Sequence, residues 1–241
     1  MLTQHITTVT KTATGEIKKT EEDERTLFSY DELAPHAQQR ALEFWSRYQN
    51  EDPDILRFAQ ETCIDVVQAC GVRLDTRSVM LMNGTTRQDP ILHYSLGGND
   101  DGVSFSGRWE YDPGALREMK KEWPLATKLH DILRRLSALV KQHPKLRCGV
   151  QECGHRGHNI KIGWAEWTTR AGNDRDELPG TLEEELLECF TDLAHWCLCT
   201  MRDDLDYQTG EERFKDECED MNLLFDESGN RVEVDCTDPQ G

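Results

Sequence analysis

Basic side chains are scarce: 28 Lys and Arg stand against 46 Asp and Glu in 241 residues, a formal charge of −18. Binding duplex nucleic acid without regard to sequence needs an excess of cations to release the counterions condensed on phosphates, so that class is excluded. Adsorption to anionic lipid is disfavoured for the same reason. Long apolar runs are missing as well. Nothing approaches the ~18 consecutive apolar residues of a membrane span, and residues 1–20 lack the apolar centre of a signal peptide. The expectation is a soluble, cytoplasmic protein with no membrane partner. Hydrophobic residues make up only 37%, yet the length suffices for a buried core. There is no nucleophile elbow, phosphate-binding glycine loop or paired metal-binding signature, which argues against an enzyme.

What is present begins with nine cysteines, an odd number with no spacing before Cys148 that suits a secreted disulfide framework. Reduced thiols are expected. Cys63 and Cys70 lie seven apart on one helical face, and Cys189, Cys197 and Cys199 recur in a later helix, where free cysteine acts as a small hydrophobe. The charge is unevenly placed. Residues 1–170 hold 24 acidic and 23 basic side chains, whereas residues 171–241 hold 22 acidic and 5 basic. A strongly negative helical face follows, serving either solubility or docking of a basic partner.

Residues 1–25 are polar with few apolar anchors and read as a flexible leader or a frayed strand, followed by a single domain over 26–241. From Asp31, Leu33, Ala37, Ala41, Phe44, Trp45 and Tyr48 recur at helical steps, with Ser29 and Asp31 available as caps. Ile55, Ala59, Cys63, Val66, Val67 and Cys70 form the next stripe, which Gly71 stops. The two helices should pack as an N-terminal hairpin. The period then changes to two over 79–82, 91–96 and 103–111, an antiparallel meander in which Val103, Phe105, Gly107, Trp109 and Tyr111 point one way. Helices over 114–121 and 125–140, the latter with Leu129, Ile132, Leu133, Leu136 and Val140, should cover the apolar face. Strands follow over 146–153 and 159–168, the second with Ile160, Ile162 and Trp164 inward. A long helix carries Leu182, Leu186, Phe190, Leu193, Ala194, Cys197 and Met201, capped by Thr181. An acidic helix over 211–221 and a terminal hairpin around Ser228, Gly229 and Asn230 close the chain. The class is α+β: an antiparallel meander packed against helices, with acidic C-terminal helices.

Three stretches resemble a phage- and prophage-encoded family often labelled as the antitoxin of a toxin–antitoxin stability system. They are Phe28-Ser29-Tyr30-Asp31-Glu32-Leu33 with Ala34, Ala37 and Ala41; Asn99-Asp100-Asp101-Gly102 leading into Val103, Phe105 and Gly107; and the turn His155-Arg156-Gly157-His158. The closing segment 222–231 is similar too, and the likeness spans roughly residues 28–235. It implies phage origin and fold; it brings no catalytic precedent.

Cys148, Cys153, His155 and His158 are four metal-ligating side chains within eleven residues. Structural zinc sites usually space two cysteines by two to four residues with the histidines well downstream, so a polar hairpin turn is favoured and no metal or cofactor is assigned. Asp100 and Asp101 beside Gly102 suit a turn first and a cation second. Six tryptophans are read as core packing, since stacking platforms for single strands lie in basic grooves.

The leading expectation is a non-enzymatic binding protein. Its acidic face, carried by Glu183, Glu184, Asp203, Asp204, Glu211 and Glu212, would occupy the nucleic-acid-binding surface of a basic bacterial protein or nucleoprotein complex, with no direct nucleic-acid contact. With the resemblance, this implies an anti-defence inhibitor, anti-CRISPR or anti-restriction, acting by nucleic-acid mimicry. Neutralising a toxin is a close variant. The alternative from another class is a small metal-dependent or acid–base enzyme centred on His155, His158 and Asp100.

Overall fold

A computed structural model describes residues 2–11, 17–98, 100–153, 159–168, 174–175 and 179–232, with side chains over 26–98, 100–153, 159–167 and 179–232. In chain order the elements are β1 (Leu2–Lys11), β2 (Ile17–Leu27), a 3-10 turn (Tyr30–Glu32), α1 (Pro35–Asn50), α2 (Arg57–Ala69), β3 (Val72–Leu74), β4 (Thr76–Met80) and β5 (Thr86–Pro90). There follow β6 (His93–Ser95), β7 (Gly102–Ser104), β8 (Gly107–Glu110), α3 (Ala115–Glu122), α4 (Thr127–Gln142), β9 (Arg147–Cys153) and β10 (Asn159–Thr168). The last are β11 (Asp174–Arg175), α5 (Gly180–Gln208), α6 (Glu211–Asp220), β12 (Leu224–Phe225) and β13 (Arg231–Val232). The fold is α+β with antiparallel pairing, as expected. It divides into two compact units, Leu56–Asp204 and Met1–Ile55 with Leu205–Gly241.

The larger unit is built on a five-stranded sheet in the order β11-β10-β9-β8-β3. α2 runs into β3 through Gly71, whose φ of +93° and whose close approach to the Glu110 carbonyl, 2.4 Å from where a Cβ would stand, both require glycine. Trp109 on β8 is fully buried, donates its indole N–H to the Cys70 carbonyl at 3.0 Å and packs edge-on against Phe190 of α5. Helical stripes complete this core: Ala59, Cys63, Val66 and Val67 from α2, Leu129, Ile132, Leu133, Leu136 and Leu139 from α4, and Leu182, Leu186, Phe190, Leu193 and Cys197 from α5.

The meander is more broken than its alternation suggests. β4 and β5 pair with each other as a separate and largely exposed two-stranded ribbon, so the run 79–82 contributes no strand to the main sheet. The run 103–111 is two strands, β7 paired with β6 and β8 within the sheet. Trp164 also departs from expectation, being 40% exposed while Ala165 is buried. The register between β9 and β10 shifts between Ile162 and Trp164, and one extra residue in a period-two strand sends the following side chains to the opposite face.

The smaller unit has its own core of Tyr30, Leu33, Ala37, Ala41, Trp45, Phe214, Cys218, Leu223 and Phe225. Phe214 of α6 lies at its centre, stacked on Trp45 with ring centroids 4.9 Å apart and edge-on to Tyr30 at 4.9 Å. The β12–β13 hairpin joins Phe28 through a pair of 2.9 Å backbone hydrogen bonds between Phe28 and Phe225. Its turn is held by the Asp226 carboxylate, which accepts from the Ser228 and Asn230 N–H groups. Gly229, at φ +82°, passes so near Ala37 that an added Cβ would stand 2.2 Å from its carbonyl oxygen.

Three expectations change in this unit. Residues read as a leader form a hairpin, with Leu2–Lys11 paired to Ile17–Leu27. Of the two readings, flexible leader or frayed strand, the strand holds: Thr3, Ile6, Thr7, Thr8, Val9 and Thr10 are β-branched and suit a pleated strand whatever their polarity. The helical hairpin is divided: α1 belongs to this unit and α2 to the other, each with its own core. Finally, Phe44 and Tyr48 are 70% and 69% exposed, because the buried side of α1 centres on Ala41 and Trp45 with Leu42 beside them.

Candidate functional site

The acidic side chains come first. Glu183 and Glu184 sit in the first turn of α5, where negative charge opposes the positive end of the helix dipole. Asp203 and Asp204 lie twenty residues further on, about 30 Å along the axis and about 200° around it from Glu183 and Glu184. The four therefore form two separate groups and not one face. Glu183, Glu184 and Asp203 are exposed, whereas Asp204 is half-buried. Glu211 and Glu212 are exposed at the start of α6, in the other unit, and Glu211 pairs with Lys215 at 2.8 Å. α6 adds Asp216, Glu219 and Asp220, also exposed, to give the densest carboxylate group on one described element. By whole units, the smaller one holds 23 acidic and 9 basic residues and the larger 23 and 19.

Asp101 is a structural tie. Its carboxylate accepts the Gly98 N–H at 2.8 Å and the Arg202 guanidinium at 2.7 Å, linking the Gly97-Gly98 turn to α5 within the larger unit. The Gly98 N–H and then Arg202 hold its carboxyl below the usual carboxylate range. Asp101 already has its cation. Asp100 is exposed beside it, and Gly102 opens β7. His155, Arg156, Gly157 and His158 lie outside the described residues. The cysteines before them do not converge: Cys148 is buried in the core, where burial pushes its thiol up to about 12, whereas Cys153 is five residues along the same strand and so on the opposite face. Among the described residues no group of three His, Cys, Asp or Glu is placed to hold a metal ion.

Cys63, Cys70, Cys189 and Cys197 are buried and Cys199 is half-buried. Burial pushes Cys70 up to about 12 and Cys189 up to about 11, so these are protonated thiols and not nucleophiles. A histidine–carboxylate contact that sequence reasoning missed joins His93 Nε2 to Glu152 Oε2 at 3.2 Å, the two lying far apart in sequence.

Sequence reasoning also missed a cavity of about 320 Å3 in the smaller unit. Phe44, Trp45 and Tyr48 of α1 line it with Phe214 and Phe225, and its polar edge is Glu217 of α6 and Arg231 of β13. Phe44 and Tyr48, four apart, lie on one face of α1. Trp45 is buried, and its indole nitrogen has no hydrogen-bond partner among the described residues. A spacing that admits Phe44, Trp45 and Tyr48 to one stripe was the available signal, because three large rings within five residues exceed what one helix face buries.

The chain belongs to the family described as Domain of unknown function (DUF8835), whose model matches residues 37–211. No curated protein and no solved structure matches it. Among the described residues no helix is long and apolar enough to cross a membrane.

Proposed function

We propose that the protein acts by binding: it presents carboxylates to a basic, nucleic-acid-binding surface of a bacterial protein and blocks that surface. The observation that carries this reading is the concentration of acid in the smaller unit, 23 acidic against 9 basic residues, with six charged positions of α6 exposed and five of them acidic. Carboxylates at helical spacing approximate the charge density of a phosphate backbone, and complementary charge speeds encounter. The phage origin implied by the resemblance makes host defence complexes the natural targets, in the host cytoplasm, with toxin neutralisation as the near variant. Asp100, Asp101 and Gly102 serve the scaffold in this reading.

The test is competition. A nucleic-acid-binding protein captured from host lysate by the wild type should lose its nucleic acid in proportion to added protein. A variant with Glu211, Glu212, Asp216, Glu219 and Asp220 replaced by Gln or Asn should associate more slowly and compete poorly. Wild-type binding should weaken as screening shortens from ~10 Å at 0.1 M salt to ~3 Å at 1 M. Equal binding by the variant with flat salt dependence returns the charge to solubility alone.

A further inference from the structure

The cavity beside α6 has no role in a purely electrostatic contact. We infer that it seats one large, uncharged apolar side chain from a basic segment of the partner, so that the segment is anchored by an apolar plug and flanked by cations. The basic nature of the segment rests on the docking reading above; the plug rests on the cavity.

Four features of the smaller unit converge on this occupant. The cavity, about 320 Å3, lies at the low end of the ~300–1,000 Å3 range of ligand sites, which suits one large side chain with its adjoining backbone. Phe44 and Tyr48 line it while lying largely in water, 70% and 69% exposed, so an inserted group would cover apolar surface now open to solvent. Trp45, Phe214 and Phe225 complete its aromatic wall. The fourth feature is charge. Glu217 on the wall, with the exposed Asp216 and Asp220 on the neighbouring side of α6, favours Lys or Arg beside the plug. Arg231 on the same wall disfavours a cation inside, which leaves the plug itself uncharged. Apolar anchors ringed by complementary charge are the usual anatomy of an interface hot spot.

The probe is a set of twelve-residue Lys/Arg-rich peptides identical except for a central Trp, Leu or Ala, titrated calorimetrically into the full chain. The Trp and Leu peptides should bind at least tenfold more tightly than the Ala peptide. The double variant F44A/Y48A should bind all three alike, at the wild-type affinity for the Ala peptide, and keep its melting temperature because both rings are exposed. Equal affinities for the three wild-type titrations, or discrimination that survives in F44A/Y48A, would overturn the plug. N-acetyltryptophanamide binding as tightly as the Trp peptide would also overturn it, making the cavity a small-molecule site. The five-fold neutralised α6 variant separates the two readings: it should weaken all three peptides equally while keeping the tenfold ratio. Loss of all charge dependence with the ratio intact removes the basic flanks and the docking reading together, and charge dependence without a ratio removes the plug alone.

Discussion

Trp109 and Trp45 are both buried tryptophans packed against a phenylalanine, one in each compact unit. Trp109 gives its indole N–H to the Cys70 carbonyl; Trp45 has no acceptor for its own among the described residues. The charge differs in the same sense, since the larger unit nearly balances 23 acids with 19 bases and the smaller sets 23 against 9. On the smaller unit two aromatic rings of α1 lie open beside a cavity. In the larger unit Trp109 is paired within a core built from a sheet and the helical stripes of α2, α4 and α5. The smaller one sets two open rings and an acid excess in the same unit, the features on which the docking proposal rests.

The largest effect should come from emptying either core. Phe214→Ala removes the ring that touches Tyr30, Trp45 and Phe225, and Trp109→Ala removes the ring against Phe190, so each should cost ~3–5 kcal/mol in urea unfolding. Hydrogen exchange sharpens the comparison: protection should fall first in the unit that carries the substitution. A change below ~1 kcal/mol at either site would mean that ring is not the centre of its core.

Next come two glycines. Gly229→Ala meets both a positive φ and the Ala37 carbonyl at 2.2 Å, whereas Gly84→Ala meets the positive φ alone, with nothing within 4 Å of the new Cβ. Strain of the second kind costs about 1 kcal/mol, and Gly229→Ala should exceed it by a further ~1–2 kcal/mol as the hairpin is pushed off α1. Equal melting temperatures would mean the hairpin is free to move away.

Much of this architecture could be read from residue spacing. The helical stripe from Ala59 to Cys70, its stop at Gly71, the buried Val103, Phe105 and Trp109, and the turn at Ser228-Gly229-Asn230 all follow from periodicity and turn chemistry, because each is decided within a few residues. What escaped was decided at longer range. A bulge reverses Trp164, a residue's partner strand is not written in its own neighbourhood, and the rotation of α1 depends on Phe214, which is far away in the chain. The proposed site divides in the same way. Its charge was visible as composition, but the cavity exists only where α1, α6 and the last hairpin meet, and the four carboxylates picked out on α5 lie toward its two ends. Asp101, read as turn former or cation ligand, is tied to Arg202 from a helix a hundred residues away.

That tie gives a smaller, pH-dependent effect in the larger unit. With its folded carboxyl held below the ordinary value near 4, Asp101 contributes stability that is present above that value and is lost as pH falls through the lowered one. Asp101→Asn should therefore lower the melting temperature at pH 7 and flatten its decline between pH 5 and pH 2. An acid limb identical to wild type would show that Arg202 and the Gly98 N–H do not discriminate between the two protonation states.

The smallest effect is also the closest test of the comparison between units. Replacing Trp by Phe removes an indole N–H and part of a ring in either core, so the packing loss is similar at Trp45 and Trp109. The polar consequence is opposite. At Trp109 the change takes a donor from the buried Cys70 carbonyl, a loss worth about 1–3 kcal/mol beyond packing. At Trp45 it deletes a donor that has no acceptor among the described residues, and this relief offsets the lost volume. Trp45→Phe should leave stability within about 1 kcal/mol of wild type, and Trp109→Phe should be the worse variant by at least that margin in urea titration. In the peptide titrations the order should invert: Trp45→Phe weakens the Trp and Leu peptides because it reshapes the cavity wall, while Trp109→Phe leaves them unchanged. If Trp45→Phe instead destabilises the free protein as much as Trp109→Phe does, its N–H is already satisfied, and the contrast between the two buried indoles is lost.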